Sequence, residues 1–312
     1  MAGILSAGGG GMSMSLANRK IVIIGLGLIG GSLARALKKL DLGCKVFAVG
    51  RNKKVLEQAQ ADGTILGWSV DAKDLCRDAD LIVLCMPVLS IEQNLQALAP
   101  VLAPHTVVTD VASVKGAVVD AVGRVFGTIP ANFVPGHPIA GSEQSGYAAS
   151  KHDLYKGRKV ILTPLPHTNA DAVELVSLLW QASGAEVLTM SVEHHDEVLA
   201  ATSHLPHLLA FALVDTLSQQ GTREEIFRYA AGGFRDFTRI ASSDPQMWRD
   251  IFVTNADATV SILDEYMHDL QRLRELLLNR DADELFRTFK RANASRNVFL
   301  SFSKNQNPKH PE

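Results

Sequence analysis

Short runs of β-branched and aliphatic residues recur through the first two-thirds of the chain, each followed by polar punctuation and then a stretch with helical spacing. These runs predict strands at 20–24, 44–49, 81–85, 106–109, 133–135, 158–163 and 185–189, and the spacing between them predicts helices that include 90–102, 114–126 and 170–182. Strands alternating with helices indicate a mostly parallel sheet covered on both faces. After Met190 the period changes. Segments 192–219, 223–231, 245–277 and 281–302 repeat their apolar positions at helical intervals and contain few strand-like runs. The pattern therefore predicts an α/β chain: a Rossmann-type domain over 19–190, followed by an all-helical domain over 191–303. A glycine-rich leader at 1–18 and a polar, proline-broken tail at 304–312 are read as flexible and disordered.

The first strand runs straight into Gly25-Leu26-Gly27-Leu28-Ile29-Gly30-Gly31-Ser32 and then into a helical stretch. A strand, three spaced glycines and a helix form a dinucleotide-binding turn. The first glycine permits the tight turn, the second lets backbone approach a pyrophosphate, and the third allows helix and strand to pack closely. Gly25, Gly27 and Gly30, with Leu28 and Ile29 opening the helix, are thus candidate cofactor contacts. The second strand ends in Gly50-Arg51-Asn52, where a carboxylate would be expected to bond the ribose 2′-hydroxyl of NAD. With no acid there and with Arg51 able to fork onto a 2′-phosphate, NADP is favoured over NAD, although Arg51 could equally stack on adenine or stay in solvent.

Composition narrows the partner. The 312 residues carry a formal charge of −2, and Lys and Arg are spread throughout. Neither a nucleic acid nor a membrane surface is expected, and a small molecule is. The leader lacks a basic segment followed by a sustained apolar one, so no signal peptide is expected, and the apolar runs elsewhere are read as too short to span a bilayer. Cys44, Cys76 and Cys85 are an odd, scattered set, which fits reduced thiols in the cytoplasm better than disulfides or zinc.

In a parallel sheet ligands sit beyond the carboxyl ends of the strands. Three segments fall there: Cys85-Met86-Pro87, Asp110 to Lys115, and Gly136-His137-Pro138. His137, read as a loop residue, is either a base for a substrate hydroxyl or a histidine bonded to backbone. Ser113 would bond the same hydroxyl, cap the helix beginning at Val114, or do both. Ser203-His204-Leu205-Pro206-His207 puts two histidines on one face of a helix that Pro206 must distort. No third ligand stands at a diagnostic spacing, so no metal is expected. Asp196 either orients one of these rings or is a solvated helix charge. Of the two arginines in Gly232 to Ala241, Arg235 is read as an ion-pair partner of Asp236 and Arg239 as a clamp for a substrate carboxylate. Trp248 is core or a pocket wall.

Together these motifs resemble the prephenate and arogenate (cyclohexadienyl) dehydrogenase family of tyrosine biosynthesis. The likeness rests on the glycine turn, on Thr109-Asp110-Val111-Ala112-Ser113-Val114-Lys115, on Gly136-His137-Pro138-Ile139-Ala140-Gly141, on Ser203 to His207, and on Phe237-Thr238-Arg239-Ile240-Ala241 with Asp244-Pro245 and Met247 to Asp250. It covers nearly all of residues 20 to 300. It implies oxidative decarboxylation of prephenate or arogenate, hydride transfer to NAD(P)+, and a homodimer whose substrate lies between the domains. It further implies His137 and Ser113 as the catalytic pair, Arg239 as carboxylate anchor, His207, His204 and Trp248 as residues shaping the substrate pocket, Glu143 as a gating acid, and Pro87 and Ser113 beside the cofactor. No appended mutase or regulatory domain is expected. The alternatives are another two-domain hydroxyacid or imine dehydrogenase, and a sensor that binds NAD(P) without turnover.

Overall fold

The computed structural model describes residues 14–141, 144–221 and 223–306. The leader as far as residue 13, Glu143, and the tail from 307 lie outside the described residues.

Five βα units open the chain: β1 (Lys20–Ile24), α1 (Leu28–Leu40), β2 (Lys45–Val49), α2 (Lys53–Ala61), β3 (Gly67–Ser69), α3 (Ala72–Cys76), β4 (Leu81–Leu84), α4 (Ile91–Leu98), β5 (Val107–Asp110) and α5 (Gly116–Phe126). With β6 (Phe133–Val134) their strands form one wholly parallel sheet in the order β3-β2-β1-β4-β5-β6. β1 is central, and after Lys20 its residues Ile21 to Ile24 are all apolar because both faces are covered. Ile21 and Ile23 enter the core under α1, whereas Val22 and Ile24 enter the one lined by Leu95, Val118 and Phe133. The strand order reverses between β1 and β4, which opens the crevice where such sheets bind nucleotides.

The chain then departs from the single sheet expected. β7 (Gly136–Ile139), β8 (Lys159–Leu162) and β9 (Glu186–Thr189) form a separate three-stranded sheet, with β7 antiparallel to β8 and α6 (Ala170–Ala182) between β8 and β9. His137 therefore lies in a strand, opposite Ile161, and not in a loop. Pro138 made the segment read as a loop, but β7 is an edge strand, where a residue without N–H is tolerated.

From Val192 onward the chain is helical: α7 (Val192–Leu199), α8 (Leu205–Ser218), α9 (Arg223–Arg228), α10 (Gly232–Thr238), α11 (Pro245–Thr254), α12 (Ala256–Leu278) and α13 (Ala282–Gln306). α13 extends three residues into the segment read as tail. Pro206 cannot donate to the carbonyl four residues back, and its ring crowds that turn. The helix widens instead: Ala200–His204 is a π turn, closed by the Leu205 N–H on the Ala200 carbonyl. Contrary to the expectation of short apolar runs, the resulting helical stretch Val192–Ser218 is long and apolar enough, by length and composition, to cross a bilayer. It also carries the hydrogen-bonded His195, Asp196 and His204 described below. α12 and α13 present exposed Leu270, Leu277, Leu278, Phe286 and Phe289.

Candidate active site

The glycine turn forms a cradle whose shape excludes side chains at two points and leaves a third open. Gly25 adopts φ +104°, and a Cβ there would stand 2.3 Å from the Cys85 carbonyl oxygen. A Cβ on Gly30 would stand 2.1 Å from the Gly25 oxygen, so α1 can approach β1 only with glycine at both positions. Gly27 faces open space. It begins α1 with no side-chain cap, and the first turn holds no acid, so the positive end of the helix dipole is free for an anion. Tyr155 donates its hydroxyl to the Ile29 carbonyl at 2.5 Å and packs edge-on against Trp180, which holds this first turn in place. The residues fit a dinucleotide pyrophosphate. Arg51 follows β2 and is exposed together with Lys53 and Lys54. Pro87 stands at the carboxyl edge of β4, at the start of a short 3₁₀ turn.

Beside the cradle a buried ion pair joins β5 to β7. Asp110 and Lys115 are both fully buried and bonded to each other. Asp110 also accepts the N–H groups of Ala112 at 2.8 Å and Gly136 at 3.1 Å, and Lys115 donates to the Gly136 carbonyl at 2.6 Å. Asp110 Oδ1 and Lys115 Nζ thus hold both the N–H and the carbonyl of Gly136, the residue just before His137.

His137 is 9% exposed, and its Nδ1 lies 2.9 Å from Nε2 of His195. The rings meet edge to face at 64°. Nδ1 of His195 lies 2.7 Å from Oδ1 of Asp196, which also accepts the N–H of Lys115, while Oδ2 accepts that of Gly116, both at 2.8 Å. A carboxylate from the helical domain therefore caps α5 of the first domain. This corrects one reading of Ser113: α5 begins at Gly116, and its first donors go to Asp196. Ser113 itself is half-buried in the turn after β5. Burial, reinforced by the electrostatic influence of His195, Lys115 and His204, holds the His137 pKa well below 6.5. Burial likewise lowers that of His195, against the pull of Asp196. Although burial alone would raise it, the Asp196 pKa is lowered by its hydrogen bonds to His195, Lys115 and Gly116.

A second group lies on the π turn, α8 and α11. His204 is fully buried, accepts the Asn255 amide N–H at 3.1 Å on Nδ1, and keeps an Nε2 without a hydrogen-bond partner; burial brings its pKa down to about 4. His207 donates from Nδ1 to the Ser203 carbonyl at 2.8 Å and stacks on Trp248 at 3.7 Å between ring centroids. Trp248 is 6% exposed and packs with Val114, Ile251 and Phe252, so it is both core and the floor under His207. Arg239 is exposed at the start of a 3₁₀ turn, and its charge acts on His207. Arg235 and Asp236 lie 3.9 Å apart in solvent. Among the described residues no three His, Cys, Asp or Glu side chains converge as metal ligands.

The structure thus brings His137, His195 and Asp196 into one chain of contacts and His204, His207 and Trp248 into a second, on which the Arg239 charge acts through His207. Sequence reasoning did not single out His195. Its signal was present in Val192, His195 and Leu199, whose spacing places a histidine on the buried stripe of α7. Asn255 was also missed, because a helix read as continuous over 245–277 breaks there to turn its amide toward the Asp196 carbonyl and His204.

A parallel nucleotide-binding sheet with this glycine cradle, joined to a helical domain that delivers hydrogen-bonded histidines to the cradle's edge, defines a two-domain nicotinamide-dependent dehydrogenase. Residues 33–189 match the family described as prephenate dehydrogenase, nucleotide-binding domain, and residues 191–291 match prephenate dehydrogenase, dimerization domain. The chain belongs to the prephenate dehydrogenase family. It is 39% identical to the cyclohexadienyl dehydrogenase of Zymomonas mobilis over 89% of this chain and 95% of that protein. It is 38% identical to the prephenate dehydrogenase of Bacillus subtilis over 87% of this chain and 74% of that one. The crystal structure of A. aeolicus prephenate dehydrogenase in complex with hydroxyphenyl propionate and NAD+ superimposes with a TM-score of 0.85 at 37% identity, covering 92% of this chain and all of that one.

Proposed function

We propose that the protein carries out the oxidative decarboxylation of prephenate to 4-hydroxyphenylpyruvate, accepts arogenate as an alternative substrate to give tyrosine, and favours NADP over NAD. The observation that carries this reading is His137 at the carboxyl edge of the sheet, neutral at physiological pH and hydrogen-bonded through Nδ1, in a chain whose relatives bear these dehydrogenase names.

Prephenate is a cyclohexadienol with a ring carboxylate para to its hydroxyl. His137 takes the hydroxyl proton as the carbon bearing it is oxidised, and the resulting dienone loses carbon dioxide as the ring becomes aromatic. A bound nicotinamide supplies the hydride acceptor. Ser113 bonds the reacting hydroxyl, Arg239 anchors a substrate carboxylate, and His204, His207 and Trp248 shape the pocket. Glu143, outside the described residues, gates the entrance. Gly25, Gly27, Leu28, Ile29 and Gly30 hold the pyrophosphate, with Pro87 along the crevice. The preference for NADP is supported by Arg51, Lys53 and Lys54, three exposed cations at the start of α2, and by Gly50, which offers no carboxylate to repel a 2′-phosphate.

Residues 19–190 form the cofactor half and 191–303 the substrate and dimerisation half in this reading. The apolar residues exposed on α12 and α13 support a homodimer, and a small-molecule partner with no nucleic acid or membrane surface accords with the charge distribution. Cys44, Cys76 and Cys85 are all unpaired, in keeping with a reducing cytoplasm.

Reduced-cofactor absorbance measured with prephenate and arogenate, each against NAD and NADP, tests the reading. Turnover of prephenate with a higher kcat/KM for NADP is the expected result. Absence of turnover with either substrate would refute the activity, and a higher kcat/KM for NAD would refute the role of Arg51.

A further inference from the structure

The contacts from Asp196 to His137 fix the direction of every hydrogen bond between them. An ionised carboxylate only accepts. Asp196 accepts two backbone N–H groups, and its remaining neighbour is Nδ1 of His195 at 2.7 Å, so that nitrogen carries a proton. His195 is fully buried in side chain, and its lowered pKa keeps it neutral, which leaves a lone pair on Nε2. The atom facing that lone pair at 2.9 Å is Nδ1 of His137, which must then be the donor.

We propose that His195 and Asp196 are positioning residues that hold His137 with its proton on Nδ1, so that Nε2 presents the lone pair that receives the substrate proton. The assignment of that lone pair to catalysis rests on the reading given under Proposed function. Neither residue touches substrate. When His137 gains the proton at Nε2, its Nδ1–H still donates to His195, and the Asp196 charge stabilises the imidazolium through the intervening ring. The Lys115 charge acts on His137 in the opposite sense, since it opposes protonation of the ring. Asp110 lies on the stabilising side through His195.

The arrangement also ties the base to the domain junction. His137 belongs to β7, whereas His195 and Asp196 belong to α7, and Asp196 reaches its place by capping α5. A shift of α7 against α5 would break the cap and free the His137 ring together.

The test is the tautomeric state of both histidines in the full-length protein labelled with ¹⁵N-histidine, read from long-range ¹⁵N–¹H correlations at neutral pH, with signals assigned by single histidine variants. Both rings are expected as Nδ1–H tautomers, and an Nε2–H tautomer at His137 would overturn the proposal. Kinetics give an independent reading. His195→Leu, which removes both bonds, is expected to lower kcat by roughly 10²-fold with each KM within about threefold, as for loss of an orienting partner of a general base. His195→Gln, whose carbonyl can accept from His137 while its amide donates to Asp196, is expected to recover most of that loss. Equal impairment in the two variants, or wild-type kcat in His195→Leu, would also overturn it. The spectrum needs no substrate. The expected tautomers in a protein that does not turn over prephenate would contradict the proposed reaction alone, and the reverse tautomer in an active enzyme would contradict the positioning role alone.

Discussion

Replacing His137 with Asn is expected to lower kcat by about 10²- to 10⁴-fold, the usual size of a general-base contribution, and to leave cofactor affinity unchanged. Asparagine keeps a hydrogen-bonding group near His195 but cannot accept a proton at neutral pH. The backbone of β7 stays paired with β8 through Ile161, and the glycine cradle lies on separate elements, so the loss falls on chemistry rather than on folding or cofactor binding. The wild-type pH profile should show the same residue. Burial first, then the electrostatic influence of His195, Lys115 and His204, holds the His137 pKa well below 6.5. A base works in its deprotonated form, so activity should persist as pH falls through the ordinary histidine range and decline only below it. Steady-state rates from reduced-cofactor absorbance measure both effects. Wild-type kcat in the variant would remove His137 from the chemistry.

Arg239→Ala is expected to raise the KM for prephenate by about 10- to 100-fold, because a hydrogen-bonded charge pair contributes roughly 1.5–3 kcal/mol and each 1.4 kcal/mol is a factor of ten. The effect on kcat should be smaller if, as proposed, the guanidinium holds a carboxylate that is present before and during reaction. Arg239 opens a 3₁₀ turn and acts electrostatically on His207, which stacks on Trp248, so its charge stands at the rim of the second histidine group. Arg235 is the internal comparison. It lies on the preceding helix in a solvent-exposed pair with Asp236, a kind of contact worth little, and Arg235→Ala should leave KM within about twofold. Saturation curves for the two variants decide between them: an unchanged KM in Arg239→Ala would move the anchor elsewhere.

What could be read from the chain alone was what local sequence determines. The glycine turn announced itself because its three glycines follow a doubly buried strand and precede a helix, and all of that lies within a few residues. The helical character of the second half followed from its apolar spacing. The distortion around Pro206 followed from covalent chemistry, although that it would take the form of a π turn over Ala200–His204 did not. Two strands escaped: β3, because it is three residues long with glycine at its head, and β7, because Pro138 stands inside it.

The site was legible only in part, for a different reason. His137, His204, His207 and Arg239 stood out as chemically capable residues in distinctive surroundings. The role of His195 depends on a contact across 58 residues of sequence, and that of Asp196 on capping a helix that begins 80 residues before it. Likewise the Asp110–Lys115 pair was visible as a motif, but not as the pair whose hydrogen bonds pin Gly136 beside the base. Local spacing marks His195 as buried on α7, but it does not say which distant residue His195, Asp196 or Lys115 meets.

In the proposed reaction Nε2 of His137 receives the proton of the substrate hydroxyl. A crystal structure of the protein with oxidised cofactor and a para-hydroxylated substrate analogue tests it most directly. The analogue's hydroxyl oxygen is expected at hydrogen-bond distance from Nε2, about 2.6–3.2 Å, with its carboxylate on Arg239. An imidazole turned away from that oxygen, with some other side chain bonded to it, would rule out His137 as the base.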